Sequence, residues 1–203
     1  AMSPDGRWLL GCGTAQTVTS EGPKQAVLLD AVTGEVARVL PTLLPDGDGW
    51  ATCGAFSADG RYLVVADASG DTAVGAAVYD MRDLGAAPRR WTPPSGISAL
   101  AVGTTLFAVR TSVGGVTTVR IGDLRRVSEV VRADLACGSA CPVAISSNDR
   151  HVAVTQAGHH VPVQLAAAHL TETPSAAEGL ASEITLLSYS PDNRLASAGA
   201  DGA

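Results

Sequence analysis

Aromatic side chains are scarce in this chain of 203 residues, at 4%. Charged residues are few as well, at 17%, while Gly and Pro number 22 and 11. Small residues, frequent turns and many Val and Leu fit an all-β chain of short strands better than a helical bundle. Lysine is nearly missing. Lys24 stands against thirteen arginines, and the formal net charge is −6. That excess of acid argues against a nucleic-acid partner, because phosphate binding needs clustered positive charge. The two basic doublets, Arg89-Arg90 and Arg125-Arg126, read first as solvated loop residues. No apolar run approaches the ~20 residues that span a bilayer as a helix, and no signal-peptide pattern is present.

Catalytic signatures are also missing. There is no Gly-x-Ser-x-Gly elbow, no His-Glu-x-x-His, no Gly-rich phosphate loop ending in Lys-Ser/Thr, and no Gly-x-Gly-x-x-Gly. The reading therefore names no catalytic residue, no cofactor and no metal site. The nearest candidates are weak. Cys137 and Cys141 lie close together, but a zinc site needs a second pair or His partners. Asp46 and Asp48 sit beside glycines without the Glu of a calcium loop, and read as a plain turn. His159 and His160 are adjacent, and in extended backbone neighbours point to opposite faces, so one ion cannot easily take both. The four cysteines read as free thiols in the cytoplasm. A Cys137–Cys141 disulfide would instead place the chain outside the cell.

What the sequence does have is a repeat. "MSPDGRWLLG", "FSADGRYLVV", "ISSNDRHVAV" and "YSPDNRLASA" share a turn followed by an arginine, at Arg7, Arg61, Arg150 and Arg194. The spacing implies a fifth, worn copy near residue 105, in "LAVGTTLFAVRTS". A period near 44 residues falls in the range of four-stranded repeat units. Each unit reads as strand a, a Ser-Pro-Asp-Gly type turn, strand b, a loop, strand c, a short turn and strand d. In that turn Pro presets φ, Asp hydrogen-bonds local backbone, and Gly accepts positive φ. Strands are predicted at 7–13, 26–30, 35–40, 51–57, 61–67, 76–81, 97–102, 105–111, 116–122, 127–132, 142–146, 150–156, 161–166, 184–190 and 194–199. One such sheet has two apolar faces and cannot bury both alone, so neighbouring sheets must pack on it.

These residues resemble the WD-repeat β-propeller family, in a degenerate bacterial form. "SPDNRLASAGADG" (190–202) is the nearest match, and "AVLLDAVTGE" (26–35) resembles the strand c to strand d junction. Asp30 matches the family's Asp, with Leu29 in place of its Trp. Tyr79-Asp80 is a better copy, and Ile121-Gly122 and Leu165-Ala166 are poor ones. No Gly-His precedes any strand a, so the family's buried His–Ser/Thr–Asp–Trp network is not carried over. Lactonase-like and YVTN-type propellers use the same turn.

The resemblance implies a β-propeller of four-stranded antiparallel blades, with about four blades plus an inner half. The units are expected at 1–41, 51–93, 97–132, 142–172 and 184–203, as one incomplete ring. The expected function is a non-catalytic protein-interaction or sensor module. It would be the C-terminal region of a larger bacterial signalling NTPase or Ser/Thr kinase, whose remaining blades or upstream domain complete it. Two alternatives stand beside it. A lactonase-like enzyme would need acidic, His or Asn residues at the starts of several strands a, which here begin with Ala, Thr, Ile and Val. The third is a purely structural segment. The expected partner is a protein, with no nucleic acid and no membrane. It is expected on the face built from the d–a and b–c loops, at Trp50, Arg89, Arg90, Trp91, His159 and His160. Trp beside Arg is the composition of interface anchors. Packing at a blade rim is the rival reading for both tryptophans.

Overall fold

The computed structural model describes residues 1–13, 25–40, 50–68, 75–93, 96–113, 116–135, 142–155, 162–173 and 183–199. Seventeen strands, and no helix, occur among the described residues. The chain divides into two compact units, Ala1–Ser98 and Ala99–Ala203.

In the first unit β1 (Trp8–Gly13), β2 (Gln25–Asp30) and β3 (Val36–Leu40) form a three-stranded sheet. A four-stranded sheet follows, of β4 (Trp50–Phe56), β5 (Tyr62–Ala68), β6 (Ala76–Asp80) and β7 (Arg89–Trp91). The next sheet is β8 (Ile97–Val102), β9 (Leu106–Val113), β10 (Val116–Asp123) and β11 (Ser128–Leu135), with the boundary between the units falling inside β8. Then come β12 (Val143–Ile145), β13 (His151–Val154), β14 (Val163–Ala166) and β15 (Thr171–Thr173), and finally a hairpin of β16 (Ile184–Tyr189) and β17 (Leu195–Gly199). Every strand pairs antiparallel with its neighbour in sequence. Alternation in the sequence locates all of these except β7 and β15, which are only three residues long and too short to show a period.

Within each unit the sheets pack face to face. In the first, Leu10, Leu28 and Leu40 meet Phe56, Leu63, Val65 and Tyr79. In the second, Val119 and Ile121 of β10 meet Val143, Ile145, Val152 and Val154. The opposite face of that β12–β15 sheet, at Ala144 and Ala153, packs on Ile184 and Leu187. A sheet buried on both sides is what the apolar pattern requires. Each Leu or Val removed from water contributes about 1.5–3 kcal/mol, against about 1 kcal/mol for a hydrogen bond. Burial therefore holds the sheets together, and the turns fix their register.

The turns repeat atom for atom. Ser3 Oγ donates to Asp5 Oδ1 (2.6 Å) and accepts from Trp8 N (2.8 Å), while Gly6 turns the chain at φ +71°. Ser57, Asp59, Tyr62 and Gly60 do the same, with distances of 2.6 and 2.8 Å and φ +70°. In the later copies a side chain replaces that glycine: Asp149 at φ 60° and Asn193 at φ 65°. Both side chains reach back to the preceding turn. Asn193 Oδ1 accepts from Asn148 N (3.0 Å) and Ser147 Oγ (2.9 Å). Asp149 accepts from Thr104 N (2.9 Å), Thr105 N (2.7 Å) and Thr105 Oγ1 (2.8 Å). The worn third turn, which lacks an acid of its own, is capped by the acid of the next.

The same register corrects one alignment. Trp8 faces Asp30, Tyr62 faces Asp80 and His151 faces Ala166, but Leu106 faces Asp123. The third copy of the strand c dipeptide is therefore Gly122-Asp123, not Ile121-Gly122. Asp123 behaves as its counterparts do. Its Oδ1 accepts from Arg125 N and Arg126 N, both at 2.7 Å, as Asp30 Oδ1 accepts from Val32 N and Thr33 N at 2.9 Å. Gly122 leaves space that the ring of Phe107, paired opposite it, fills completely.

Candidate protein-interaction site

The outer strand β7 exists because its backbone completes the sheet: Ala76 pairs with Trp91, Ala77 with Arg90 and Val78 with Arg89. Alternation along it puts Arg89 and Trp91 on one face and Arg90 on the other. Both arginines are exposed, whereas the Trp91 ring keeps only 9% of its surface exposed. That burial favours packing at the blade rim over an exposed anchor.

Arg89 does not extend freely. Its guanidinium carbon lies 5.6 Å from the centroid of the Tyr62 ring, and that of Arg61 lies 5.0 Å away. Tyr62 is itself buried, so the ring is a fixed platform. Cation–π contacts of this kind contribute about 0.5–1 kcal/mol each where exposed. Arg61 is also held by Asp80 at 3.4 Å, with both side chains about one-third exposed. Asp80 uses its other oxygen on Arg82 N, at 3.1 Å. The result is a pair of positioned guanidinium groups at the end of the sheet where β5 begins and β6 ends. Arg61 marks a repeat turn in the sequence, but neither it nor Tyr62 was among the expected site residues. Their signal is the Arg-aromatic pair after each turn, since Arg7 also lies over Trp8, at 4.7 Å.

The sequence-chosen residues do not all come together. Trp50 opens β4 and Trp91 closes β7, at opposite edges of one sheet. Three inter-strand spacings part them, roughly 14 Å. His159 and His160 lie outside the described residues, as do Cys137, Cys141, Asp46 and Asp48 and most of the d–a and b–c loops. Among the described residues no three His, Cys, Asp or Glu side chains group so as to hold a metal ion. No helix among them is long and apolar enough to cross a membrane.

Electrostatics elsewhere is local. Serine and backbone hydrogen bonds hold the Asp5 carboxyl below its ordinary value, and backbone bonds from Thr33 and Val32 do so for Asp30. Burial lowers Arg110 and pushes Tyr189 up to about 12. In the β8–β11 sheet the buried Arg120 pairs with Glu129 at 2.7 Å and donates to Thr111 Oγ1 at 3.3 Å.

Solved structures share this architecture. The chain is similar to the Swd1 β-propeller domain of Myceliophteria thermophila, with a TM-score of 0.69 and 18% identity over 99% of this chain and 61% of that one. It is similar to Kuenenia stuttgartiensis hydrazine synthase, at 0.68 and 16% over 97% and 54%. A chain of the mitotic checkpoint complex matches at 0.61 and 18% over 86% and 51%. The fold is a β-propeller. No family model and no curated protein matches the sequence. The chain spans about half to three-fifths of the length of these propeller neighbours. Each propeller blade here is one of the sheets described above, with β7 the outermost strand of the second.

Proposed function

We propose that this propeller is a non-catalytic protein-interaction module of the WD-repeat type. The observation that carries the reading is the outer rim of the second blade. Arg89 is clamped over Tyr62 beside the Arg61–Asp80 pair, and Arg90 stands exposed on the other face of the same strand. Guanidinium groups held in place lose little freedom on binding and match carboxylates in two-pronged geometry. An acidic or carbonyl-rich surface of a partner protein is the complement. Trp91, two residues along the same face of the strand from Arg89, is buried. Trp50 stands at the other end of that sheet, where β5 ends and β6 begins, and with His159 and His160 it is assigned to the loop face there. One of the similar structures is a chain of the mitotic checkpoint complex, which agrees with this reading, and another is hydrazine synthase, an enzyme. Metal analysis of the purified protein tests the enzymatic alternative, a lactonase-like site, and stoichiometric metal would favour it. The chain would serve as the sensing part of a larger bacterial signalling NTPase or kinase, in the cytoplasm, and the surrounding open reading frame tests that assignment.

The deciding experiment is quantitative co-purification from the native cell. Arg89→Ala and Arg90→Ala should each reduce recovery of the same partner about tenfold or more, the size expected for a buried charged contact. Arg194→Ala, at an exposed arginine on the hairpin β16–β17, should leave recovery unchanged. Equal recovery with all three variants would remove the site.

A further inference from the structure

We propose that Thr92 is a phosphorylation site, and that phosphate there shuts the rim of the second blade to an acidic partner. The second half rests on the interaction site proposed above. The first half stands without it.

The first observation joins sequence to backbone. Both arginine doublets stand at the same distance ahead of a hydroxyl, in Arg89-Arg90-Trp91-Thr92 and Arg125-Arg126-Val127-Ser128. Charge placed ahead of a Ser or Thr is what many protein kinases read. The structure separates the two candidates. Ser128 follows a tight turn: Val127 has φ 52°, and the N–H groups of Arg125 and Arg126 both donate to Asp123 Oδ1 at 2.7 Å. A segment threaded through a kinase cleft has to present its arginines and its hydroxyl along one stretched backbone, which this turn prevents. Thr92 meets that demand. It follows β7, whose three residues are paired on one side only among the described residues. Pro93 disfavours helical backbone at Thr92. Gly75, the next residue along the register, lies against the Trp91 carbonyl and the Thr92 Cα. The extended path of β7 therefore runs on through Thr92. Arg89, Arg90 and Thr92 are exposed, and Trp91 is the one buried member. Releasing this segment costs the seat of one ring and three residue pairs, a local opening rather than a global one.

The second observation is charge around the acceptor. Alternation puts Thr92 on the face of Arg90, roughly 7 Å along the chain. Arg90 belongs to none of the ion pairs among the described residues. The one carboxylate in 81–93, Asp83, accepts from Gly85 N (3.1 Å) and Ala86 N (3.2 Å). A phosphate on Thr92 carries about −1.5 to −2 charges and would engage Arg90 in charge-assisted hydrogen bonds. That takes Arg90 away from the partner and repels an acidic surface. The transfer needs a protein kinase and ATP. The Thr92 hydroxyl oxygen bonds to the γ-phosphorus, the bond from that phosphorus to the bridging oxygen breaks, ADP leaves with the electron pair, and the hydroxyl proton passes to a base of the kinase.

The test incubates the whole chain with radiolabelled ATP and an extract of the native cell. Label should enter the tryptic peptide 91–110, with mass spectrometry placing the phosphate on Thr92. Thr92→Ala should abolish it and Thr92→Ser should keep it. Arg89→Gln with Arg90→Gln should cut incorporation about tenfold or more, whereas Arg125→Gln with Arg126→Gln should not. No label, label on Ser128, or label that survives Thr92→Ala would overturn the acceptor. The second half is read by partner recovery. A chain carrying phosphoserine at position 92 should recover about tenfold less partner than Thr92→Ser, and Thr92→Ala should recover it normally. If recovery depends on Arg89 and Arg90 but ignores the phosphate, the regulatory half fails. If recovery ignores the arginines too, the interaction site itself fails, and the labelling result is untouched.

Discussion

Asp149 occupies a turn position where two sister repeats carry glycine, and its carboxylate is spent on another repeat. It accepts three hydrogen bonds, from Thr104 N, Thr105 N and Thr105 Oγ1, at 2.7–2.9 Å. The site is partly buried, so each bond is taken at about 1 kcal/mol rather than the larger value for a charged acceptor in full burial. Asp149→Gly removes all three acceptor contacts and keeps a residue at ease at φ 60°. Its expected cost is about 2–3 kcal/mol. Asp149→Ala adds the left-handed penalty of about 1 kcal/mol, for a total near 3–4 kcal/mol. Asp149→Asn retains one acceptor and tolerates the backbone, and should cost about 1 kcal/mol. Urea unfolding followed by circular dichroism reads the series. For a chain of this size each kcal/mol moves the melting temperature by about 2–4 °C. A second arm closes the argument. A Cβ on Gly103 would run into the Asp149 carboxylate. Gly103→Ala should therefore cost much less in the Asp149→Gly background than in the natural chain. Additive costs, or an order other than Asn, Gly, Ala, would refute the claim that this carboxylate ties two turns together.

Three further outcomes are expected. Gly122→Ala drives a methyl group into the Phe107 ring and should cost about 1–3 kcal/mol, partly recovered by Phe107→Leu, as measured by thermal melting. Glu129→Ala leaves the Arg120 guanidinium buried without its counter-charge; with Glu129 30% exposed, the loss should be about 2–3 kcal/mol in urea unfolding, below that of a fully buried pair. Acid should loosen the first unit's turns: the Asp5 and Asp30 carboxyls are held below 3.8, so their contribution is complete above that value and is lost as pH falls through the lowered one. Hydrogen exchange at residues 3–8 and 30–35 should then quicken below pH 3.8, and unchanged exchange there would count against those turn bonds.

Much of the fold is legible in the sequence because strand alternation and turn chemistry are local. Ser57, Asp59 and Gly60 act within one turn, so their pattern is complete in a handful of letters. What escapes sequence reading is set by partners far along the chain. β7 and β15 are strands only because β6 and β14 offer them an edge. The exchange of bulk between Phe107 and Gly122 needs the register to be seen, and a one-residue slip hid Asp123. The rim site was half legible. The Arg89-Arg90-Trp91 cluster could be found by composition, but its division across two faces follows from pairing, and Tyr62 comes to it from another strand. The non-glycine residues at 149 and 193 were a visible departure from the repeat, yet what they touch is not local.

The backward reach of Asp149 and Asn193 also gives the chain a direction in time. A ribosome releases Thr104 and Thr105 some 45 residues ahead of the carboxylate that caps them. At roughly 5–20 residues per second, that is a wait of about 2–9 s. Through it the third turn stands without its acid, and the fourth turn waits as long again for Asn193. During translation each of these blades is therefore finished by its successor, and a nascent chain halted between them presents an uncapped hairpin to whatever chaperone is near.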